Sequence, residues 1–427
     1  MLAIEDYLCL LFFMDNKNKY FKLIFILGLL TAIGPFSIDM YLPAFPAIAK
    51  GLNTNVAQVM LSLSSFFIGI SAGQLIYGPL LERFGRKNPL YVGLGIYLLA
   101  SIGCAFTSSV DSLIAFRFLQ ALGSCAGMVT SRAMVRDLFE VKDNAKVFSS
   151  LMLVVAVSPI IAPTVGGYIT AELGWRYVFA ALIVVDIAIL AAVIFLLPES
   201  KKPDPNHSLK PAAVTKNFVS ILIHPQFYIY ALTGAVAASG LYAYISGSPQ
   251  VFIELFGVNE KQYGWIFAII AIGVIGSSQI NSLVLRKHTS EKIIPVALMF
   301  QSIIGVILAG LAFFNLSELF TTITLIFLYL CCQGFIFPNA SALTLAAFGH
   351  NAGNASALMG AIQMGIGATA SAVVSFLQNN TALPMSGVMA FCSITALSIF
   401  MMGRKIAVQQ PTREELEEED VEMISGL

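Results

Sequence analysis

Gly78-Pro79-Leu80-Leu81-Glu82-Arg83-Phe84-Gly85-Arg86-Lys87 is a dense charge cluster in a chain of which only 11% of the residues are charged. On each side of it lie roughly twenty residues without a charge, enough for a helix to cross a bilayer. The cluster therefore belongs to a short loop at a membrane surface, where the chain reverses. Gly78 and Gly85 permit close packing and unusual dihedrals there. Glu82 can accept a hydrogen bond from a basic group, and the basic residues place the loop on the cytoplasmic side.

The composition of the whole chain supports a membrane protein. It has 427 residues, of which 57% are hydrophobic, and a mean hydropathy of +0.82. No soluble domain needs that much apolar surface, so the bilayer is the solvent of this chain. We predict twelve membrane-spanning helices, at about residues 21–46, 57–80, 89–108, 111–135, 145–170, 176–198, 226–249, 262–285, 292–313, 318–340, 354–378 and 384–403.

The basic residues predict the orientation of these spans. Of the 24 lysines and arginines, 20 fall in the terminal segments and alternate loops that would share one side. Lys50, Arg176 and Lys261 fall on the opposite side, and Arg117 lies within a span. This bias predicts that both termini are cytoplasmic. The net charge of +0 says nothing about partners, because an acidic C-terminal tail cancels the basic loops.

Five segments follow from this pattern. Residues 1–20 form a cytoplasmic leader, and our hypothesis is that translation begins at Met14, which opens a polar stretch. Two six-helix bundles are predicted to be pseudo-symmetric repeats. The segments are the leader at 1–20, the first bundle at 21–198, a cytoplasmic linker at 199–225, the second bundle at 226–404 and the acidic tail at 405–427.

Two stretches resemble a known family. The spacing Gly78-x-x-x-Glu82-Arg83-x-Gly85-Arg86-Lys87 resembles the signature loop of the major facilitator superfamily, with Glu82 where the family usually has Asp. Ile38-Asp39-Met40-Tyr41-Leu42-Pro43 resembles the first helix of its bicyclomycin-resistance (Bcr/CflA) branch of drug:proton antiporters. The resemblance implies the major facilitator fold, an all-α integral membrane protein with twelve transmembrane helices in two pseudo-symmetric bundles. It covers essentially the whole span region, with the best motifs in the first half.

Asp39 is the first of three charges predicted inside the hydrocarbon core, where each charge is costly and therefore a functional candidate. Pro35 and Pro43 flank it and should bend the first span around a cavity. Removal from water favours the neutral form of a carboxyl, so Asp39 can load and unload a proton. The alternative is an acid that caps freed backbone amides near the outer surface.

Arg117 and Asp186 are the other two charges. Arg117 begins a polar-to-small stripe on the fourth span that suits a cavity wall, and Arg117-x-x-Gln120-x-x-Gly123 resembles the family motif whose arginine is implicated in proton coupling. A snorkelling interfacial arginine is the alternative. Asp186, in the sixth span, is either a second proton site or a neutral acid that is hydrogen-bonded to a neighbouring helix. We therefore name Asp39, Arg117 and Asp186 as proton-coupling candidates.

Two further motifs concern closure of the transporter. Arg136 and Asp137 resemble the inner end of the fourth helix in the same branch, and either pair with the Glu82 loop when the inner side is shut or act as a membrane anchor. Ser158-Pro159-x-x-Ala162-Pro163-x-x-Gly166-Gly167 resembles the motif that distinguishes antiporters. Its prolines kink the fifth helix, and its glycines permit close approach of the eighth helix, through Gly273 and Gly276, or simple packing.

A set of aromatic, amide, hydroxyl and thioether side chains is predicted to line the substrate cavity. Such groups suit a large, amphipathic and mostly neutral substrate, although each of them can equally be core packing. The candidates are Phe36, Met40, Gln120, Ser124, Met128, Tyr242, Tyr244, Gln333, Phe337, Asn339 and Gln363.

We conclude that the sequence encodes a proton-coupled exporter of drugs or small amphipathic metabolites in a bacterial inner membrane. We expect a monomer that handles a small molecule and protons, contacts the lipid bilayer, binds no nucleic acid, and needs no metal or other cofactor beyond the proton gradient. The chain has no catalytic Ser/His/Asp set and is not predicted to be an enzyme. The alternatives are a proton-coupled importer or facilitator and, remotely, a membrane-embedded sensor or enzyme.

Overall fold

The structure is a computed structural model that describes the backbone of residues 2–139, 141–205, 211–348 and 352–407, and the side chains of 21–139, 147–205, 215, 218–348 and 352–404. Within these residues 12 helices are long and apolar enough to cross a membrane. The prediction of twelve crossings is confirmed. The question of a start at Met14, the side chains of the leader, and tail residues 408–427 lie outside what is described.

The first half of the chain holds crossings one to six. The first crossing is broken into two helices joined by a 3-10 turn, Leu42–Ala44. The helical backbone of this crossing extends back to Leu2, through the segment predicted as a leader. The helices are α1 (Leu2–Asp39), α2 (Phe45–Gly51), α3 (Val56–Phe84), α4 (Lys87–Phe106), α5 (Val110–Leu138), α6 (Val141–Glu172) and α7 (Arg176–Leu196).

The second half holds crossings seven to twelve, preceded by a short helix inside the predicted linker. The seventh crossing ends in a π-helical turn, Gln250–Leu255. The helices are α8 (Pro211–Leu222, in the linker), α9 (Pro225–Pro249), α10 (Glu260–Val284), α11 (Ser290–Phe313), α12 (Leu319–Leu345), α13 (Ala352–Phe376) and α14 (Leu383–Ala407).

Local sequence signals explain several helix ends. The Asn55 side chain accepts a hydrogen bond from the amide of Gln58 and begins α3, which satisfies one of the free amides of the first turn. A reciprocal capping box between Asn259 and Gln262 begins α10. Gly85, with a φ of 78°, ends α3 in a region that favours glycine.

The two halves repeat one packing pattern. In the first half the second crossing packs on the fourth, the third on the fourth and sixth, and the first on the fifth. The equivalent crossings six positions later pack in the same pairs in the second half. The correspondence supports the predicted pseudo-symmetric bundles, although the sequence similarity between the halves is weak.

The most extensive contacts between the bundles in the described part of the chain are those of α3 with α13 and of α6 with α10. These are crossings two with eleven and five with eight. Crossing two is equivalent to crossing eight in the internal repeat, and five to eleven, so the two pairs are equivalent to each other. Along α3 and α13 the contact is marked by hydrogen bonds from Ser375 to the carbonyl of Ala57 (2.5 Å), between Ser64 and Ser371 (2.8 Å), and from Ser71 to the carbonyl of Ala361 (2.7 Å). The bundles therefore touch along most of this helix pair.

Candidate functional site

The break in the first crossing places Asp39 at the end of α1. Pro43 has no amide hydrogen and cannot donate to the carbonyl of Asp39 four residues earlier. The chain instead tightens, with the Tyr41 amide donating to the carbonyl of Ile38 (3.3 Å), and enters the 3-10 turn. The predicted bend is present and is located directly after the acid.

Asp39 is buried, at 6% exposure, and faces the opposite bundle. Its carboxyl group has an electrostatic interaction with the hydroxyls of Tyr244 in α9 and Tyr263 in α10. Among the described residues it forms no hydrogen bond and no ion pair. The alternative role, a cap for freed backbone amides, is therefore not what the geometry shows.

The aromatic residues opposite Asp39 form a packed wall. The ring of Tyr244 stacks on that of Phe267 with centroids 5.5 Å apart, and the Tyr263 and Phe267 rings are 6.1 Å apart. The Tyr263 hydroxyl shares a hydrogen bond with Ser248 (2.8 Å), whereas that of Tyr244 has no hydrogen-bond partner among the residues described. Tyr244 was predicted as a cavity residue. Tyr263 and Phe267 were missed, although their spacing on one helical face was a usable signal.

Arg117 is fully buried behind α1. It donates to the Gln120 side chain (2.6 Å) and to the backbone carbonyl of Ser37 (3.1 Å). Its guanidinium lies between the rings of Tyr41 and Phe66, 4.4 and 4.2 Å from their centroids. The snorkelling alternative is wrong, because the group is 0% exposed and held on every side by the first bundle.

Arg117 and Asp39 lie on opposite faces of the first crossing. Arg117 contacts Ser37 and Tyr41, which flank Asp39 two residues before and two after it, and successive residues of a helix point about 100° apart. No hydrogen bond or ion pair joins the two charged groups in the described residues. The two proton-coupling candidates are therefore separated by the backbone of the first crossing and do not interact directly in the described residues.

The remaining cavity candidates fall into two groups. Tyr242 and Gln363 lie at the junction of the bundles: the Gln363 amide donates to the Tyr242 hydroxyl (3.4 Å), and the Tyr242 ring contacts that of Phe67 in the other bundle. The Met40 backbone contacts α6, and Phe36 packs on the core beside the break. These four residues and Tyr244 are the predicted cavity residues that the structure places near the Asp39 region or at the bundle junction.

Other cavity candidates contact neighbours within one bundle in this structure, and their role as substrate contacts stays a prediction. Gln120 is bound to Arg117 and donates to Ser101 (2.8 Å). Gln333 accepts from Gln301 (3.2 Å), and Asn339 donates to Asn281 (2.8 Å). Ser124 bonds its own helix, Met128 packs at Gly34 inside the first bundle, and Phe337 is 39% exposed, away from these contacts.

The Glu82 loop is held by ionic contacts within the first bundle. Arg86 donates to both oxygens of Asp137 (2.7 and 3.3 Å) and to Glu82 (3.1 Å). Glu82 also pairs with Lys201 from the beginning of the linker. The prediction that Asp137 pairs with this loop is confirmed. Burial would lower the pKa of Arg86, but the hydrogen bond to Asp137 and the charges of Glu82 and Asp137 raise it overall.

Two carboxylates therefore tie the loop to the start of the linker. Glu199 accepts from the backbone amides of Arg86 (2.9 Å) and Lys87 (3.0 Å), and the Lys87 ammonium donates to the carbonyl of Leu197 (2.7 Å). A side chain at Gly85 would meet Glu199 and Lys201, so the glycine is needed there. The expectation of close packing at Gly78 is wrong, because no atom of the described residues lies within 4 Å of where its Cβ would be.

Arg136 does not join this loop but reaches the second bundle. Its guanidinium lies 3.0 Å from the position a Cβ would take at Gly353, at the beginning of α13. Arg83, in the last turn of α3, completes the positively charged surface at this end of the molecule. We call this end, with Glu82 and Arg136, the Glu82 face.

The glycines of the fifth crossing are needed for close helix contacts. A Cβ at Gly166 would collide with the backbone of Met40, directly after Asp39, and one at Gly167 would collide with the carbonyl of Glu260 in α10. Pro159 and Pro163 both lie inside the same helix, α6. The double glycine therefore permits α6 to touch both the break in the first crossing and the second bundle.

The prediction of the eighth crossing as the partner of this motif is confirmed, but the glycines named on it are wrong. Gly264 lies against the backbone of Pro163 and Thr164, whereas Gly273 faces Phe327 of α12 and Gly276 faces open space. Near the same end, Lys261 of α10 pairs with Glu172 of α6. We call this end the Lys261 face.

Sequence comparisons place the chain among transport proteins. The model of the Major Facilitator Superfamily matches residues 27–372. An uncharacterised MFS-type transporter, YdgK, of Bacillus subtilis is 33% identical over 91% of this chain and 96% of its own length. A bicyclomycin resistance protein homolog of Haemophilus influenzae is 31% identical over 90% of this chain and 96% of its own.

Solved structures show the same fold. A crystal structure of a D-xylose-proton symporter superposes with a TM-score of 0.71, over 89% of this chain and 97% of that one. The two sequences are 14% identical, so the similarity concerns the fold alone.

Proposed function

The chain belongs to the major facilitator superfamily, and on that premise we propose that it is a proton-coupled exporter of drugs or small amphipathic metabolites. It works as a monomer in a bacterial inner membrane, needs no cofactor, and is driven by the proton gradient. The named bicyclomycin-resistance relative supports export of antibiotic-like molecules.

The observation that carries this proposal is the state of Asp39. Burial at the junction of two bundles, with no cation paired to it in the described residues, favours the neutral form of this acid, which can exchange a proton when the junction opens. The tyrosines with which it interacts belong to the other bundle, so protonation of Asp39 alters an electrostatic interaction between the bundles.

Arg117 supplies the coupling to the rest of the first bundle. It donates a hydrogen bond to the carbonyl of Ser37 and stacks on the ring of Tyr41, two residues before and two residues after Asp39. Ionisation of Asp39 attracts the Arg117 guanidinium towards the break, and protonation removes this attraction. A change in the protonation of Asp39 is thereby converted into a movement of the first crossing. Substrate and proton compete for the Asp39 region during the cycle.

We assign the Glu82 face to the cytoplasm, which makes both termini cytoplasmic. The asymmetry of basic residues supports this assignment. Cargo enters from the Glu82 face, and the ionic contacts of Glu82, Arg86 and Asp137 hold the loop at that face. The bundles rock about the α3–α13 and α6–α10 contacts, as in alternating access.

Asp39→Asn tests the proton role. In a bacterial host that lacks its own pumps, the native chain should raise resistance to at least one compound of a panel that includes bicyclomycin. In inverted vesicles Asp39→Asn should bind that compound but lose accumulation driven by a pH gradient, because the amide cannot take a proton. Asp111→Asn, at an exposed acid near the start of α5, is the matched control and should pump normally.

Pumping by Asp39→Asn at the native rate would refute the proton role of Asp39. Substrate flux along with the proton influx, instead of against it, would make the protein an importer.

A further inference from the structure

A second buried acid lies inside the first bundle, away from the bundle junction. Asp186 in α7 is 0% exposed, and neither of its carboxyl oxygens has a hydrogen-bond partner in the described part of the chain. The neighbouring Val184 and Ile187 are exposed on the outer side of α7. Asp186 therefore faces the interior of a bundle that offers its carboxyl group no hydrogen-bond donor.

Tyr97 of α4 lies near both this acid and Arg117. It has an electrostatic interaction with both groups. Its hydroxyl is 2.6 Å from that of Ser37, and because the Ser37 hydroxyl donates to the carbonyl of Ile33, Tyr97 is the donor of the pair. The Ser37 backbone carbonyl in turn accepts from Arg117.

The remaining members complete a cluster that links four crossings. Gln120 accepts from Arg117 and donates to Ser101, whose hydroxyl donates back to the carbonyl of Tyr97. We call Ser37, Tyr97, Ser101, Arg117, Gln120 and Asp186 the buried polar cluster. Helix α7 packs on α4, α1 and α6, and of their titratable groups Tyr97 is the one with which Asp186 interacts in the described residues.

The charges of this cluster do not balance in the present arrangement. Arg117 is fully buried without a carboxylate partner in the described residues. Buried charges cost several kcal/mol unless they are paired, and the same is true of an ionised Asp186. The acid that could balance Arg117 is Asp186, which interacts with Tyr97 but not, among the described residues, with Arg117 itself. An ionised Asp186 would therefore be unpaired in this arrangement.

We propose that Asp186 is a second proton-binding site, protonated in this arrangement and deprotonated in another state of the cycle, with Tyr97 and Arg117 setting its occupancy. The proton leaves a carboxyl oxygen of Asp186 for water when helix movements within the first bundle admit water to its interior, and returns by the reverse step. Tyr97 keeps its own proton. This inference deepens the proposed function and rests on it for the meaning of the exchange.

Infrared difference spectroscopy of the purified protein in lipid nanodiscs tests the inference without a transport substrate. A neutral carboxylic acid has a carbonyl stretch that an ionised one lacks, and isotope labelling of aspartate marks the bands that belong to Asp. Between low and high pH the native protein should lose one band from Asp39 and another from Asp186. Asp186→Asn should remove one band, Asp39→Asn the other, and Asp111→Asn neither.

Tyr97→Phe provides a second readout that keeps Asp186 in place. Removal of the hydroxyl should shift the frequency or the titration midpoint of the Asp186 band and leave the Asp39 band unchanged. An acid that does not interact with Tyr97 would show no such shift. This readout also decides the case if Asp186→Asn does not fold. A band that never titrates, or is insensitive to Tyr97→Phe, would overturn the inference, while a normal Asp39 band would leave the proposed function intact.

Discussion

Arg117 shows how much one residue of this protein is determined by its surroundings. Its guanidinium forms two hydrogen bonds and lies against two aromatic faces, and its Nε atom has no hydrogen-bond partner within the described residues. A planar, permanently charged fork fits such a site, whereas an ammonium is a point charge that is more strongly hydrated. The geometry of the guanidinium therefore matters here as much as its charge.

Arg117→Lys should destabilise the protein by about 2 kcal/mol, since the charge-assisted fork to Gln120 and Ser37 is lost. We also expect loss of proton-driven transport, because lysine cannot hold Ser37 and the Tyr41 ring together. Thermal unfolding in nanodiscs and vesicle transport measure the two effects. Arg176→Lys, at an exposed arginine that stacks on Trp175, is the control. Equal behaviour of the two variants would contradict a special role for Arg117.

At the scale of helices, the fifth and eighth crossings form a junction that depends on glycines, because these residues have no side chain. Gly166 and Gly167 of α6 and Gly264 of α10 let backbones approach to a distance that any Cβ would prevent. Small residues of this kind are the usual means by which membrane helices pack closely. The same junction touches the backbone beside Asp39, so its geometry bears on the proposed proton site.

Gly264→Val should weaken this junction by about 1–3 kcal/mol, the usual cost of overpacking, and should reduce transport. Gly276→Val is a matched control, because it makes the same change on the same helix where nothing lies within 4 Å of the glycine. Thermal unfolding and vesicle transport of both variants give the comparison. Similar losses in the two variants would show that helix propensity, and not the junction, is responsible.

At the scale of the whole molecule, the two bundles touch through the helix pairs α3–α13 and α6–α10, which are equivalent to each other in the internal repeat. At the Lys261 face the junction also includes the ion pair between Lys261 and Glu172. Alternating access requires this face and the Glu82 face to open in turn, so a covalent bond across either one should stop the cycle.

A disulfide between Glu172→Cys and Lys261→Cys, in a background without native cysteines, should abolish transport when oxidised and restore it on reduction. The reason is that the bond holds α6 and α10 together at the Lys261 face. Each single-cysteine variant under the same oxidant is the control. Undiminished transport by the fully cross-linked protein would mean that this face does not open.

Much of the fold could be predicted from the sequence because its signals are local. The lengths of the apolar runs give the crossings, and the prolines around Asp39 give the break after α1, since a missing amide acts within one turn. Pairing of Arg136 and Asp137 with the Glu82 loop was one of two alternatives that the sequence left open, and the structure shows it for Asp137 but not for Arg136. Close packing at Gly78 was not found, and the sequence offers no sign that this glycine faces open space.

The sequence by itself determined a twelve-crossing chain with a buried acid beside a helix break. The tertiary structure alone decided that this acid interacts electrostatically with Tyr244 and Tyr263 and not with Arg117. It also decided that Gly264, and not Gly273, packs against α6. The physical reason is that lipid and bundle interior are about equally apolar. Hydrophobicity therefore gives the length of each membrane helix, but only packing against neighbours decides which face turns inward.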